Sequence, residues 1–453
     1  MNTDTFQLKK GVEYIGLFSV VLFASTIFAD RGLNRIAETL LILSVLLSLK
    51  TLLTYEKSNK GLWIYLLIPT AFLFMALINH MAVISYPFLD LNHEQFSKRY
   101  LRLFYFAFIG WWIIKQPKLV WPLIACLSAA FIIEVVASGD IQKYFEFEVI
   151  PSRPHQVPRF SFGFSNAQHS AIFAGSLLLF YLSISPKIIT MTNKYYKITA
   201  VIFILTVLLS TVFVALVSQT RAVWLGLLIA SLIAVIPWIL LLSEKSKYFS
   251  RSKITIFFCS LLIGIIFALS FNTAISSRIE STAKDIVHLS TLEIKDIPTS
   301  STGIRLHQWN LALELIKEKP LLGYGGATKK HLIKISTMPE AAITGFGHFH
   351  NSYLELAVAY GLGAPVVFIA ILLFLLIRAL KARKNGHLSI EFTCFSVSWV
   401  TFFFIVNLFE SYVMYRTGYF LLMLLGGIIY GVTSKSYINR KSETPREALN
   451  AKV

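Results

Sequence analysis

The chain reads as long apolar runs cut by short polar punctuation. About 18 apolar residues in a helix, each adding 1.5 Å, are enough to cross a bilayer. Such runs recur over 12–29, 36–54, 62–84, 100–114, 118–137, 166–185, 199–218, 221–242, 254–271, 351–377, 389–409 and 415–433. The pattern predicts an all-α polytopic membrane protein of about 12 transmembrane helices. No amphipathic strand pattern points to a barrel.

Two connections break the rhythm of short turns. The stretch from about Ser138 to Ser165 holds IPSRPHQVPRFSFGFSN, whose prolines oppose a regular helix. The second connection, 272–349, is expected to form a partly helical periplasmic loop or lid. The chain then divides into helices one to nine (1–271), the loop (272–349), helices ten to twelve (350–433) and a polar, basic tail (434–453). Within the loop, STGIRLHQWNLALELIKEKPLLGYGG predicts a helix with Thr302 as N-cap and a stop at Pro320. Trp309, Ala312, Leu313 and Ile316 share its apolar face, and Arg305 leads that stripe by one turn. An arginine there needs a counter-charge. Asp296 nearby would supply one, an anionic ligand another, and the sequence leaves both open.

Composition supports the membrane reading. Apolar residues make up 55% and charged residues 15%, with a mean hydropathy of +0.65. A length that would otherwise suggest two or three soluble domains is taken up by spans. The net charge of +18 would suggest nucleic acid in a soluble protein. Here it follows the positive-inside rule. With a cytoplasmic N-terminus, the inner segments hold 23 Lys and Arg, and the outer ones apart from the long loop hold 10. Both termini are then expected in the cytoplasm, and nucleic acid is excluded as a partner. Cys126, Cys259 and Cys394 all fall in apolar runs, which argues against a disulfide framework or a zinc site. Lys9 and Lys10 precede the first run as in a signal peptide, but the eleven runs behind it favour an uncleaved anchor.

The polar residues inside this apolar background carry the candidate chemistry. Gln219, Thr220 and Arg221 interrupt an apolar stretch from 199 to 242. An arginine at the membrane centre costs about 2.5–3.5 kcal/mol, which makes Arg221 a functional candidate, with a snorkelling anchor as the plainer reading. In GHFHNSYLELAVAYGLGAP, Asn351 and Ser352 are natural helix initiators. They put His350 at the outer start of a span, on one face with Tyr353, Leu354, Ala357 and Gly361. Imidazole titrates near neutrality and can take a proton from a hydroxyl, although a lone histidine is more often structural. His348, in GFGHF, reads as mobile loop.

Arg159, His169, Gln219, Asn351, Tyr353 and Arg416 are secondary candidates. Arg416 is expected to pair with Glu410 at the last outer turn, and Arg159 can be read as an interface anchor. No acidic cluster suits a metal and no glycine loop suits a nucleotide, so neither metal nor cofactor is expected. Guanidinium groups suit a diphosphate. Outside the cytoplasm there is no ATP, so the energy must reside in the substrate, as it does in a polyprenyl diphosphate sugar.

HNSYLELAVAYGLG, with nine residues from Ser352 to Tyr360 between Asn351 and Gly361, resembles the signature of the O-antigen ligase and polymerase superfamily. GIRLHQWNLALELIKEKPLLGYG resembles that family's arginine, tryptophan and Pro-Leu-x-Gly-x-Gly pattern. SQTRAVWLG resembles its arginine-bearing span, and RFSFGFSNAQHSAIFAG a further segment, so the likeness runs from about Arg159 to Tyr360. Ala364 departs from it, standing where a glycine often falls. The resemblance implies a metal-independent, inverting glycosyltransferase that takes glycan from undecaprenyl diphosphate at the periplasmic face of the bacterial inner membrane. It implies that His350 is the base and that Arg221 and Arg305 hold the diphosphate. The acceptor is lipid A-core for ligases, a second lipid-linked repeat unit for polymerases, and serine or threonine for protein O-oligosaccharyltransferases. One long loop before the histidine is most like the ligases. A lipid-glycan transporter is a different class, but its ionisable groups would sit near the midplane and its halves would repeat.

Overall fold

The protein is seen here as a computed structural model that describes residues 10–28, 31–59, 61–86, 98–149, 159–189, 193–241, 297, 299–344 and 347–434. The expected span at 254–271, the first part of the long loop (272–296) and the tail from 435 lie outside the described residues.

Every described element is helical. From the N-terminus, α1 (Lys10–Ser25) leads to α2 (Arg31–Leu47) and α3 (Leu49–Asn59). Then come α4 (Leu62–Ser85), α5 (Phe106–Lys115), α6 (Val120–Ala137) and α7 (Asp140–Val149). They are followed by α8 (Ala167–Ile189), α9 (Lys194–Val217) and α10 (Arg221–Leu241). The loop region contributes α11 (Ser301–Glu318), α12 (Lys329–Lys334) and α13 (Glu340–Thr344). The last four are α14 (Ser352–Tyr360), α15 (Gly363–Lys384), α16 (Ile390–Phe409) and α17 (Arg416–Ser434).

Seven of these, α4, α6, α8, α9, α15, α16 and α17, contain segments long and apolar enough to cross a membrane. The expected run 36–54 is not straight. It is divided between α2 and α3, which meet at 68°. The break falls at Ser48, whose hydroxyl accepts a 3.0 Å hydrogen bond from Trp111 Nε1. The run 12–29 forms the 16-residue α1, and 100–114 contains the ten-residue α5 behind a 3-10 turn. The apolar helix from Arg221 continues to Leu241. The first two fall short of a full span, whereas α10 runs 21 residues and matches the expected run 221–242. Among the described residues there are seven spans, or eight with the bent pair, where eleven were expected.

Side-chain chemistry sorts the spans into centre and periphery. The hydrophobic windows of α8, α16 and α17 are 94%, 78% and 83% buried, against 28% for α4. The central helices carry serines, threonines, glycines and an asparagine, which permit close approach and hydrogen bonding between helices. The peripheral ones present leucine, isoleucine and phenylalanine outward, as in Phe72, Leu73 and Leu209. Gly175 of α8 illustrates the need for small residues: a Cβ there would lie 2.6 Å from the Phe402 ring of α16.

The expected span 351–377 is also broken, and this break shapes the site. Nine residues of α14 rise only about 14 Å, and Gly361 then turns the chain with a φ of +74°. The Pro320–Gly325 stretch is why. Tyr324 and Gly325 donate backbone hydrogen bonds to Val358 and Ala359 at 2.8 and 2.9 Å, and Leu362 donates to Pro320 at 2.8 Å. A Cβ on Gly361 would collide with the Leu321 carbonyl at 2.1 Å. The Pro-Leu-x-Gly-x-Gly segment therefore clasps the C-terminal end of α14 to α11.

Candidate active site

The site grows from the N-terminus of α14. Asn351 is its N-cap, the side chain accepting from Tyr353 N at 2.9 Å and Leu354 N at 3.1 Å. His350 precedes the cap with a φ of +50°, a left-handed conformation unfavourable for a side chain with a Cβ. It therefore does not share a helical face with Tyr353, Leu354 and Ala357 as the spacing suggested. Neighbours hold the segment in place. Trp309 Nε1 donates to Phe349 O at 2.9 Å, Phe349 N to Glu355 at 3.1 Å, and Asn351 N to Ser411 Oγ at 3.2 Å.

That geometry aims both imidazoles at Glu410, the residue that ends α16. His348 Nε2 and His350 Nδ1 each lie 3.0 Å from a different Glu410 oxygen. The His348 and His350 rings are 4.0 Å apart, centre to centre. Glu410 is 2% exposed and also accepts from Ser411 N at 2.9 Å. Burial opposes ionisation of this carboxyl, but the bonds to the two imidazoles override it and hold the group well below its usual range. Burial pushes His348 the other way, toward its neutral form, and the nearby His350 adds to that effect while Glu410 resists it.

Four sequence-based expectations are corrected here. Glu410 does not pair with Arg416, whose Nη2 lies 3.4 Å from Thr26 O. The chain turns through Tyr412–Met414 before Arg416 starts α17. His348 is not in a loose loop: its Nδ1 lies 3.2 Å from the Tyr415 hydroxyl while its Nε2 meets Glu410. The expected cap Thr302 is likewise displaced, since Ser300 caps α11 by accepting from Gly303 N at 3.1 Å. Leu313, expected on the buried stripe, is 48% exposed, while Ala312 and Ile316 are buried.

Of the arginines, Arg305 is half-buried on α11, one turn before Trp309. Asp296, its expected local partner, lies outside the described residues. Arg159 donates to Ser218 O at 3.0 Å and to Thr220 Oγ1 at 3.2 Å, bracing the turn that precedes Arg221. In that turn Gln219 is buried with a φ of +50°. Arg221 starts α10 two residues further on and is half-buried. Both Arg305 and Arg159 act electrostatically on Tyr412, two residues beyond Glu410. Burial keeps that phenol well above its usual range, and the two guanidinium groups oppose the shift. Tyr412 in turn donates to Gln168 O at 3.0 Å. Next to it, His169 Nδ1 hydrogen-bonds Thr417 Oγ1, and its ring lies edge-on to Tyr412 and Tyr415. Tyr353 points elsewhere, donating to Phe404 O at 2.9 Å. His350, Asn351 and His169 thus contact the Glu410–Tyr415 segment, while Arg159, Gln219 and Arg221 stand at the neighbouring turn.

Sequence reasoning passed over Glu410 as a site residue and also missed Lys329. A carboxylate within TFFFIVNLFESYVMY is itself a signal, because acids at membrane depth are costly and tend to be functional. Lys329 is buried and forms an ion pair with Glu355 of α14, tying α12 to the same site. His348, His350 and Glu410 also bring their donor atoms within 4.8 Å of one another, a spacing compatible with a cation.

A larger feature lies on the other side of Tyr415. A cavity of about 1110 Å³ is walled by the starts of α2 and α17, the 163–165 turn and the 98–105 segment. His350, Arg221 and Arg305 are not among its walls.

Apolar spans surrounding a buried histidine–carboxylate cluster define a multi-pass membrane protein with a polar site at one end of the bundle. Residues 204–369 match the family described as O-Antigen ligase, from α9 into α15. That stretch is similar to an O-antigen ligase-like, glycosyltransferase-like family of membrane enzymes. The chain is also 30% identical over 198 residues to an uncharacterized protein of Haemophilus influenzae. That alignment covers 43% of this chain and 46% of the relative, so the chain spans about half the length of the relative it matches. The family match includes Arg221, Arg305 and His350 and stops short of Glu410.

Proposed function

We propose that the protein is an O-antigen ligase. It transfers O-antigen glycan from undecaprenyl diphosphate to a sugar hydroxyl of lipid A-core at the periplasmic face of the bacterial inner membrane, with both termini in the cytoplasm. The observation that carries the chemistry is the 3.0 Å bond between His350 Nδ1 and Glu410. An ionised carboxylate only accepts hydrogen bonds, so it fixes the Nδ1–H tautomer and leaves the lone pair of the neutral ring on Nε2. In the proposed step the acceptor hydroxyl loses its proton to His350 Nε2 as its oxygen bonds to the anomeric carbon. The bond from that carbon to the diphosphate breaks, and the electron pair leaves on the diphosphate. Attack from the face opposite the leaving group inverts the anomeric centre. Arg221 and Arg305 neutralise the diphosphate before and after departure.

Polymerisation, with a second lipid-linked repeat unit as acceptor, uses the same step. Protein O-glycosylation would as well, with serine or threonine attacking. The test is transfer by purified protein in nanodiscs, with lipid-linked glycan as donor. Lipid A-core that gains glycan supports the ligase reading, and longer lipid-linked glycan without modified core overturns it in favour of a polymerase. His350→Ala is expected to abolish transfer while the protein remains folded. Retained transfer by that variant would remove His350 as the base.

A further inference from the structure

The backbone of His350 sits at a φ of +50°, a conformation that local preference does not supply. The residues on either side of it are both tied to one carboxylate. Glu355 lies one turn into α14 and is 1% exposed. Its Oε2 accepts from Phe349 N at 3.1 Å and from Ser411 Oγ at 3.4 Å. Ser411 Oγ in turn accepts from Asn351 N at 3.2 Å, and Ser411 N donates to Glu410 Oε1 at 2.9 Å. Glu355 thus reaches Phe349 directly, Asn351 through one hydroxyl, and Glu410 through the same serine.

A buried carboxylate needs a counter-charge to stay ionised. Lys329 supplies it from the first turn of α12, forming an ion pair with Glu355 Oε1. The lysine is itself buried, and its neighbours fix where it stands. Thr328 Oγ1 lies 2.9 Å from both Tyr324 O and Gly325 O, and Gly326 N donates to Asn79 Oδ1 at 3.2 Å. Leu332 and Ile333 of α12 then join one apolar cluster with Phe349, Ala357 and Val358. The short segment that follows the glycines of the Pro-Leu-x-Gly-x-Gly stretch therefore delivers a cation to the carboxylate that braces His350.

We propose that Glu355 is a positioning residue for His350, with Lys329 as the counter-charge that keeps it in place. The role rests on the glycan-transfer reading, in which His350 Nε2 takes the proton of the acceptor hydroxyl. A carboxylate accepts hydrogen bonds and never donates them, so Glu355 holds Phe349 N and the Ser411 hydroxyl at once. Those two bonds fix the left-handed bend at His350 and keep its Nδ1 against Glu410, the contact that sets the tautomer of the ring. The pair also makes α12 part of the brace, so the loop region and the histidine are set together.

The test uses full-length protein in nanodiscs. Removing either charge alone leaves the other buried without this partner and is strongly destabilising, so two double variants carry the comparison. Lys329→Met/Glu355→Gln and Lys329→Met/Glu355→Met both remove the charges together, but only the first retains an oxygen that can accept from Phe349 N. A cooperative melting transition checks that both fold. In Lys329→Met/Glu355→Met, kcat is expected to fall by about tenfold or more with little change in KM, and the Gln version should recover part of the loss. The second readout needs no activity. In protein carrying isotope-labelled histidine, the nitrogen NMR signals of His350, identified by their loss in His350→Gln, report which ring nitrogen holds the proton. Wild type is expected to show the Nδ1–H form and Lys329→Met/Glu355→Met a mixture of tautomers. Equal kcat in the two double variants, a rise in KM in place of the fall in kcat, or an unchanged tautomer overturns the proposal. Lys329→Met alone should melt below Lys329→Met/Glu355→Gln, and the reverse order would remove Lys329 as the counter-charge. Absence of glycan transfer by wild type would refute the glycan-transfer reading by itself, while the tautomer still decides whether Glu355 positions His350.

Discussion

Glu410 and His350 stand sixty positions apart in the chain, yet a carboxylate oxygen of one lies 3.0 Å from Nδ1 of the other. The contact is made at the meeting of two helix ends, the C-terminus of α16 and the capped start of α14. Ser352 locks that junction, donating to Asn407 at 2.6 Å and lying 3.0 Å from Glu410 O. An imidazole held this way has its tautomer and direction set in advance.

Glu410→Gln tests that role. The amide can offer an N–H where the carboxylate only accepts, so the imidazole is no longer forced into the Nδ1–H form. If Glu410 acts only by orienting the proposed base, kcat is expected to fall by about 10²-fold or more with little change in KM. Glu410→Asp should recover part of the loss. A rise in KM at constant kcat would assign Glu410 to substrate binding instead. Transfer is also expected to survive EDTA. Loss restored by an added divalent ion would turn the His348–His350–Glu410 trio into a metal site.

Arg221→Ala and Arg305→Ala are expected to weaken donor binding by about ten- to a hundredfold each, the range for a lost charge-assisted hydrogen bond. The measurement is the dissociation constant for undecaprenyl diphosphate. Lysine at either position should restore charge without the bidentate geometry and so recover only part of the affinity. Unchanged affinity in both alanine variants would place the diphosphate elsewhere.

Acid is expected to destabilise the protein through the same cluster, in two windows. His348 is held below its ordinary value of 6.5. The unfolded chain therefore takes up that proton first, and stability falls as the pH drops below about 6.5. Glu410 is held well below 4.5. Its contribution is fully present above about 4.5 and disappears as the pH falls through the lower folded-state value. Thermal unfolding in detergent from pH 7.5 downward resolves the two. His348→Gln should remove the upper window and Glu410→Gln the lower one. Parallel curves for wild type and both variants would show that the cluster does not govern acid stability.

Gly361→Ala should destabilise the break between α14 and α15. The added Cβ faces both a φ of +74° and the Leu321 carbonyl at 2.1 Å. A cost of at least about 1–3 kcal/mol is expected from the backbone conformation alone. A lower melting temperature and reduced transfer check it. Gly363→Ala is the control, because a Cβ there meets nothing within 4 Å.

Much was legible before any fold was seen. Hydropathy located six of the seven described spans, because a bilayer rewards any helix of sufficient apolar length whatever its neighbours. The cap at Asn351 was legible too, since capping is local chemistry between a side chain and the next three residues. The break at Gly361 was not, because it depends on backbone hydrogen bonds from Tyr324, Gly325 and Leu362 to partners distant in the chain. Nor was the partner of Glu410. Six positions away, Arg416 looked like the natural counter-ion, but the turn between them sends the two side chains apart.

The sequence by itself determined an all-helical membrane protein with its ionisable candidates toward one end, since transfer free energy acts residue by residue along a helix. Only the tertiary structure decided which charges meet. Electrostatic pairing falls off over a few ångströms and is indifferent to distance along the chain. Glu410 thus joined two histidines, and Lys329 found Glu355 in a pairing that no local pattern announces.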